Sequence, residues 1–411
     1  MRGRGHRRVT SGTTAVLLSC LSCLGGCTSG HPGQTGQTAL PTARAGTPTG
    51  HGDVYVVGQE TDTLTPVDPA TGSARPPIPL GVACQDPGDL VVNRAGTKAF
   101  VECVGTLIEP VDLTTGKVGR PITLSMTGNN DLVLSPDGSR LYALSLDKGL
   151  TAGEVTPIDT ATEATGRPIP VTGNVDRLAL APDGRHLYAL DFGPGGGQTG
   201  SLTVIDTTRG TASRPVRLGE NPADIVVTPD SRTVFVTCTD SRYLVPLDGA
   251  TGAPGRPIPL AGNPVDLVMA PDGRTVYVMG VSAPTRSGSA VWPVDTATHA
   301  VGAPVDVSGN AMTIAPGGGQ VYLYGNATQP TVTWFDTATD RVGPPITVGI
   351  YASAMSFSAD GREAFVLRDG TDTDDPTTKV VPLRLPATPV GRPVTVLPGP
   401  GLMTVAGRGS D

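Results

Sequence analysis

Histidine, tryptophan and aromatic residues as a class are scarce: the 411 residues include five His, two Trp and only 4% aromatics. A haem iron needs axial ligands, and beyond residue 50 the chain offers only His51, His186 and His299, the last two at turn or strand-edge positions. No Gly-x-Ser-x-Gly elbow and no His-Glu-x-x-His pair occurs, which leaves serine-hydrolase and zinc-protease chemistry without support. A basic excess is missing too, with 30 Lys and Arg against 37 Asp and Glu. Nucleic acid and anionic lipid are therefore disfavoured partners, because phosphate binding needs a basic stripe. After the first 24 residues no apolar run is long enough to span a bilayer.

What the chain has in abundance is punctuation, 55 Gly and 40 Pro, spaced by short apolar runs. Variants of the stretch Pro264 to Val307 recur with a period near 45. Each unit holds four strand signals, represented by Leu267 to Ala270, Val276 to Met279, Ala290 to Val294 and Ala303 to Val307. Pro271-Asp272-Gly273 presets a tight turn between the first two, and Asp295-Thr296-Ala297-Thr298 turns the chain between the last two. Four short strands per repeat at this period are the signature of propeller blades. Second strands number eight, from Val54 to Ala364, and third strands number eight, the last ending in Arg384 instead of Asp. The array opens on a second strand, and Gly401 to Gly409 aligns with the missing first strand. The sequence thus predicts an all-β, eight-bladed β-propeller closed by a C-terminal inner strand in the N-terminal blade. Seven blades is the fallback if one is degenerate.

The N-terminus reads differently. Arg2, Arg4, Arg7 and Arg8 precede an apolar core, Ala15 to Leu24, followed by Leu24-Gly25-Gly26-Cys27. This resembles a bacterial lipobox, with Cys27 as the lipidated residue; an ordinary signal peptide with an incidental cysteine is the alternative. Arg7-Arg8 leaves both Sec and twin-arginine export open. Residues 28–50 are Gly, Thr, Pro, Gln and Ala, too poor in large apolar side chains to repay ordering, so a flexible tether is expected. The domain reading is 1–27 signal, 28–50 tether and 51–411 a single propeller, held at the outer face of the cytoplasmic membrane by lipid alone. Removing the four leader arginines takes the net charge from −7 to −11.

Within the array, Arg120-Pro121, Arg167-Pro168, Arg256-Pro257 and Pro344-Pro345 open fourth strands and mark them as blade edges. Pro66, Pro110, Pro157, Pro246, Pro293 and Pro382 fall near third-strand ends, where the ladder to the outer strand should break or bulge. With so few aromatics, blade packing is expected to rest on Val, Leu, Ile and Ala. Cys103 and Cys238 hold the same repeat position in blades two and five, too far apart to bond. Cys84, in the loop entering blade two, makes Cys84–Cys103 the sterically open pairing; three small buried thiols is the alternative.

Val234-Phe235-Val236-Thr237, Val54-Tyr55-Val56-Val57 and Ala270-Pro271-Asp272-Gly273 resemble the YVTN-family propeller repeat over residues 52–409. The fourth position is never Asn here, and the third-strand prolines depart from the usual pattern. The resemblance implies a secreted or surface binding protein, with lactonase-like enzymes in the wider superfamily. Eight-bladed quinoproteins lock the ring with a tryptophan in nearly every blade, which Trp292 and Trp334 cannot do.

Two acidic groups are the candidate sites. Just before the inner strands stand Asp89, Asp131, Asp176 with Arg177, Asp224 and Asp266, then Ala311, Ala354 and Leu402. Read structurally, each Asp accepts N–H groups from the adjacent inter-blade loop; read functionally, they form an acidic arc at the channel mouth for a cation or polyhydroxyl ligand. Asp369, Asp372, Asp374 and Asp375 could hold Ca²⁺, or simply be a solvated loop. Long loops at 193–200, 280–289 and 368–379 gather on the same face. The functional expectation is a monomeric, lipid-anchored binding or scaffold module for an envelope protein or glycan, without a required cofactor; the alternative is a metal-dependent lactonase-like hydrolase.

Overall fold

A computed structural model describes residues 53–405 except 59–60, 69–70, 72, 82–83, 85–86, 94, 104, 127, 194–197, 283–288, 326–330, 350–351, 359, 369–376, 387, 390–392 and 399–400. At 128–130, 282, 388–389, 397–398 and 401 only the backbone is described. The signal and tether at 1–50, with Cys27, and the acids Asp369, Asp372, Asp374 and Asp375 lie outside the described residues. Every regular element among the described residues is a β-strand, and the strands form eight antiparallel sheets of the four-stranded propeller type. The eight blades follow one another around an axis.

Blade six shows why the repeat folds this way. Gly262–Met269 pairs with Thr275–Ser282, which pairs with Ser289–Asp295, which pairs with Val305–Val307. Between the first two, Gly273 takes φ 72°, a left-handed conformation open to glycine. Asp295 caps the other turn, its Oδ1 accepting from the Ala297 and Thr298 N–H groups and the Thr298 hydroxyl. The Thr296 hydroxyl then donates to the Gly273 carbonyl at 2.7 Å and ties the two turns together. Thr160, Thr207 and Thr337 repeat that link in blades three, four and seven.

The ring closes where the repeat count places it. Gly401–Val405 runs antiparallel to Val54–Gly58 in the register Val54↔Val405 to Gly58↔Gly401. Because strand side chains alternate between faces, Val54 and Val56 pack toward blade eight with Phe365, Leu367, Val380 and Met403. Tyr55 and Val57 pack toward blade two with Leu90, Val101 and Val111.

Most of the core is Val, Leu, Ile and Ala, as expected, with one regular addition. The second residue pair of every second strand contains an aromatic at one register position: Tyr55, Phe100, Tyr142, Tyr188, Phe235, Tyr277, Tyr322 and Phe365. All are buried, and each enters the core shared with the following blade. Tyr188 also donates to the Gly249 carbonyl of the next blade at 2.5 Å, and Tyr322 to the Pro386 carbonyl at 2.6 Å. Every interface has at least this one ring, and some have more, such as Trp292 beside Phe235 and Phe335 beside Tyr277; each ring removes more apolar area from water than any aliphatic side chain.

The outer strand is broken in all eight blades, either into two short pieces or into an isolated bridge and one piece. Blades four and seven have Val204 and Trp334 opposite the break, and in the other six blades the third-strand proline stands there. Its carbonyl still accepts a bond, as Pro110 does from the Gly119 N–H at 2.7 Å, while its missing N–H removes a donor that the gap would strand. Blade four supplies the control: Val204 replaces proline there, and its N–H is taken by the Ser213 hydroxyl at 3.0 Å.

Deleting residues 398–411 strips Met403, fully buried, from the core between blades eight and one and leaves Val54–Gly58 as an open inner edge. The truncated protein should aggregate or melt many degrees below the parent; an unchanged melting curve would mean that the ring closes elsewhere.

Candidate functional site

The inner strands begin at the axis, and their registers define two rings of side chains. The first ring is Leu402, Asp89, Asp131, Arg177, Asp224, Asp266, Ala311 and Ala354 in blades one to eight. Directly across the strand pair lie Val57, Glu102, Leu144, Leu190, Thr237, Met279, Tyr324 and Leu367. In blades three, four, five, six and eight the register slips by one residue immediately before the first ring. A bulge re-aims the side chain that follows it. In blade four the extra residue is Asp176, which adds an acid to the mouth.

The aspartates are engaged between blades, with a different partner from the loop expected. Asp89 Oδ2 accepts from the Leu132 N–H at 2.9 Å, Asp131 Oδ2 from Leu178 at 2.6 Å, Asp224 Oδ2 from Leu267 at 3.1 Å and Asp266 Oδ2 from Met312 at 2.7 Å. In each case the donor is the inner strand of the next blade, one residue beyond the first ring. Inner strands have no neighbour on their axial edge, so these N–H groups need a side-chain acceptor. Blade four cannot provide one, since Arg177 is a donor only. It closes the gap the other way, with Nη1 2.6 Å from Asp224 Oδ1. Asp224 thus holds Arg177 of blade four and Leu267 of blade six at once.

Charge is unevenly shared around the mouth. Arg177 lies in the field of Asp224, Asp131, Asp266 and Asp176, while its Nε is buried without a partner. Burial pushes Asp176 up to about 6 despite that arginine. Asp131 rises to about 8, through burial and then the negative charge of Asp89. Asp266 is held well above the carboxylate range by burial and by Asp224. On the blade-two side Asp89 is raised to about 6 by burial, and Glu102 well above its ordinary value by burial and the charges of Asp89 and Asp131. Glu102 was not among the residues singled out from the sequence. Its signal was an acid in Phe100-Val101-Glu102-Cys103 where other blades place Val, Leu, Thr, Met or Tyr.

Among the described residues, Cys84, Cys103 and Glu109 form the one group of three possible metal ligands with donor atoms within 4.8 Å of one another. No three of the described axial acids form such a group. Cys84 and Cys103 are joined by a disulfide with Cα atoms 4.8 Å apart, and Glu109 Oε2 accepts from the Gly81 N–H at 2.8 Å. Cys238 is free, buried, and pushed up to about 11 by burial, which makes it a poor nucleophile. His299 packs edge-on against Phe235 away from the mouth. A cleft of about 540 Å³ on blade four is lined by Asp191, Ser201 and Arg217, but Asp191 is saturated by the Asn174 and Gly193 N–H groups and the Ser201 hydroxyl.

No protein-family model matches the chain, and no curated protein does. Solved structures do. The dihydro-heme d1 dehydrogenase NirN in complex with DHE aligns with TM-score 0.66 at 14% identity, over 90% of this chain and 80% of that one. Kuenenia stuttgartiensis hydrazine synthase gives 0.55 at 19% identity, over 75% and 98%. A putative 6-phosphogluconolactonase from Bacteroides uniformis gives 0.50 at 15%, over 73% and 98%. At these identities the likeness is one of fold.

Two measurements check the site. An acid whose carboxyl titrates higher when folded binds extra protons in the native state, so its contribution is greatest below the unfolded value of about 4 and declines as pH rises through the folded one. Asp112 and Asp137, both held at about 2 by hydroxyl and N–H donors in turns, act oppositely, but only at pH below about 4. The melting temperature should therefore fall between about pH 5.5 and pH 8.5, and Asp131→Asn should flatten the slope; a rise over that interval would contradict the assignment. Thiol titration of the unfolded, unreduced array should find Cys238 alone, besides any contribution from Cys27, and three thiols would exclude the bridge.

Proposed function

We propose that the protein is a YVTN-type propeller, anchored by a lipid on Cys27 outside the cytoplasmic membrane, that binds an envelope protein or glycan at its axial mouth and does not turn it over. Four of the mouth aspartates already accept an N–H from the neighbouring blade, which is the observation that carries the reading. Carboxyls tied in that way to the backbone are held in a constant geometry, as a preformed binding surface requires. The disulfide in the loop entering blade two accords with an oxidising compartment. This reading requires no resident cofactor.

A metal-dependent lactonase is the second reading, and the name of one structural neighbour favours it. The spacing of the axial acids disfavours it, because a divalent cation draws carboxylate oxygens to 2.0–2.6 Å, and three such ligands must then lie close together.

Cys27→Ala should release the protein into the medium or leave the precursor uncleaved. The purified array should open no simple lactone and gain no thermal stability from Ca²⁺, Mg²⁺, Mn²⁺ or Zn²⁺, whereas a metal-bound hydrolase would gain it by mass action. Lactone turnover that depends on one of those cations would replace this reading with the second.

A further inference from the structure

The mouth contains an acid that no described residue answers. Glu102 is 6% exposed, and among the described residues no hydrogen bond reaches its carboxylate. It stands across the strand pair from Asp89, within the field of Asp89 and Asp131. Arg177, the cation of the mouth, acts on Asp131, Asp176, Asp224 and Asp266. Among the described residues, no basic side chain lowers the pKa of Glu102 or Asp89. A buried carboxyl without donor or counter-ion is costly unless something supplies one.

The pocket around it is made by absence and then pinned. Gly88 faces Glu102 with no side chain, and a Cβ there would lie 3.4 Å from Oε2. The Gly88 N–H donates to the Glu102 carbonyl at 3.1 Å, and the Cys84–Cys103 bridge holds the same loop against the strand one residue further on. The loop is thereby fixed beside an unanswered acid instead of collapsing onto it.

Resting on the binding-module reading, we propose that Glu102, with Asp89 and Asp131 beside it, is the recognition site for a primary ammonium group, the part of the ligand that enters the axial mouth. A bare metal ion needs three oxygens closer together than these acids bring theirs. An ammonium forms directional N–H···O bonds of about 2.7–2.9 Å and needs one close carboxylate, with the others contributing field at longer range. Uptake also displaces a proton. Burial and the charges of Asp89 and Asp131 favour the protonated form of Glu102 in the empty site, and the arriving cation favours the ionised form, so binding should release protons and weaken as pH falls.

Spermidine, a free polyamine, and a short lysine-containing peptide are the probes, titrated calorimetrically into the intact array in two buffers of different ionisation enthalpy. The wild type should bind at least one of them with net proton release, and the pair tells a small amine from a protein side chain as the source of the group. Glu102→Gln, nearly isosteric, should weaken binding about tenfold or more and abolish the proton release. Asp183→Asn, in an exposed turn, should change neither. Equal binding by Glu102→Gln, or no heat from either probe with the wild type, overturns the proposal. So does Ca²⁺ binding that depends on Glu102 while both amines are silent. A glycan captured at the mouth that spermidine fails to displace removes the ammonium assignment and leaves the binding-module reading intact.

Discussion

A carboxylate of one blade accepting the first free inner-strand N–H of the next is the contact on which the axial geometry depends. The fourth edge of every blade faces outward and can be finished by water, but the first edge faces the axis, where eight strands converge. Asp89, Asp131, Asp224 and Asp266 satisfy that edge across the blade boundary, and Arg177 substitutes an ion pair where no acceptor is present. These contacts fix the angle between successive blades at the same place where the mouth gathers its negative charge. Structure and electrostatics are therefore the same residues here, and a change to one is a change to the other.

Further out, packing takes over from hydrogen bonding. An aromatic at one register position of every second strand enters the space between neighbouring blades, and Tyr188 and Tyr322 reach on to carbonyls of the following blade. Nearer the rim, the third-strand proline leaves no N–H facing the break in the outer strand. The arrangement graduates from polar at the axis to apolar midway and to solvent-finished at the edge.

The architecture was legible because repetition multiplies weak signals. One Pro-Asp-Gly turn means little, whereas seven turns of that type, three of them Pro-Asp-Gly itself, in step with eight second strands define a ring, and Gly401 to Val405 could be placed by its likeness to the other first strands. The first ring was legible for the same reason, since equivalent positions share a phase in the repeat. Its bonding was not, because the acceptor's partner lies some 43 to 47 residues away and is a backbone group with no identity of its own. Glu102 escaped because its meaning is relational: it is one acid in an otherwise apolar or weakly polar set, and that set becomes a ring only when strand registers are known. Composition foresaw the aliphatic core but not the ring of aromatics within it, since a percentage says nothing about how evenly they are distributed.

The pairing of Val54–Gly58 with Gly401–Val405 also imposes an order in time. A chain made from its N-terminus delivers the second strand of blade one long before its inner strand. During that interval blades two to eight can assemble in sequence, each templating the next, while the earliest strand presents an unpaired apolar edge. The last strand to arrive finishes the first blade, so closure acts as a proofreading step: only a chain that has been delivered whole can bury Met403 and become a ring.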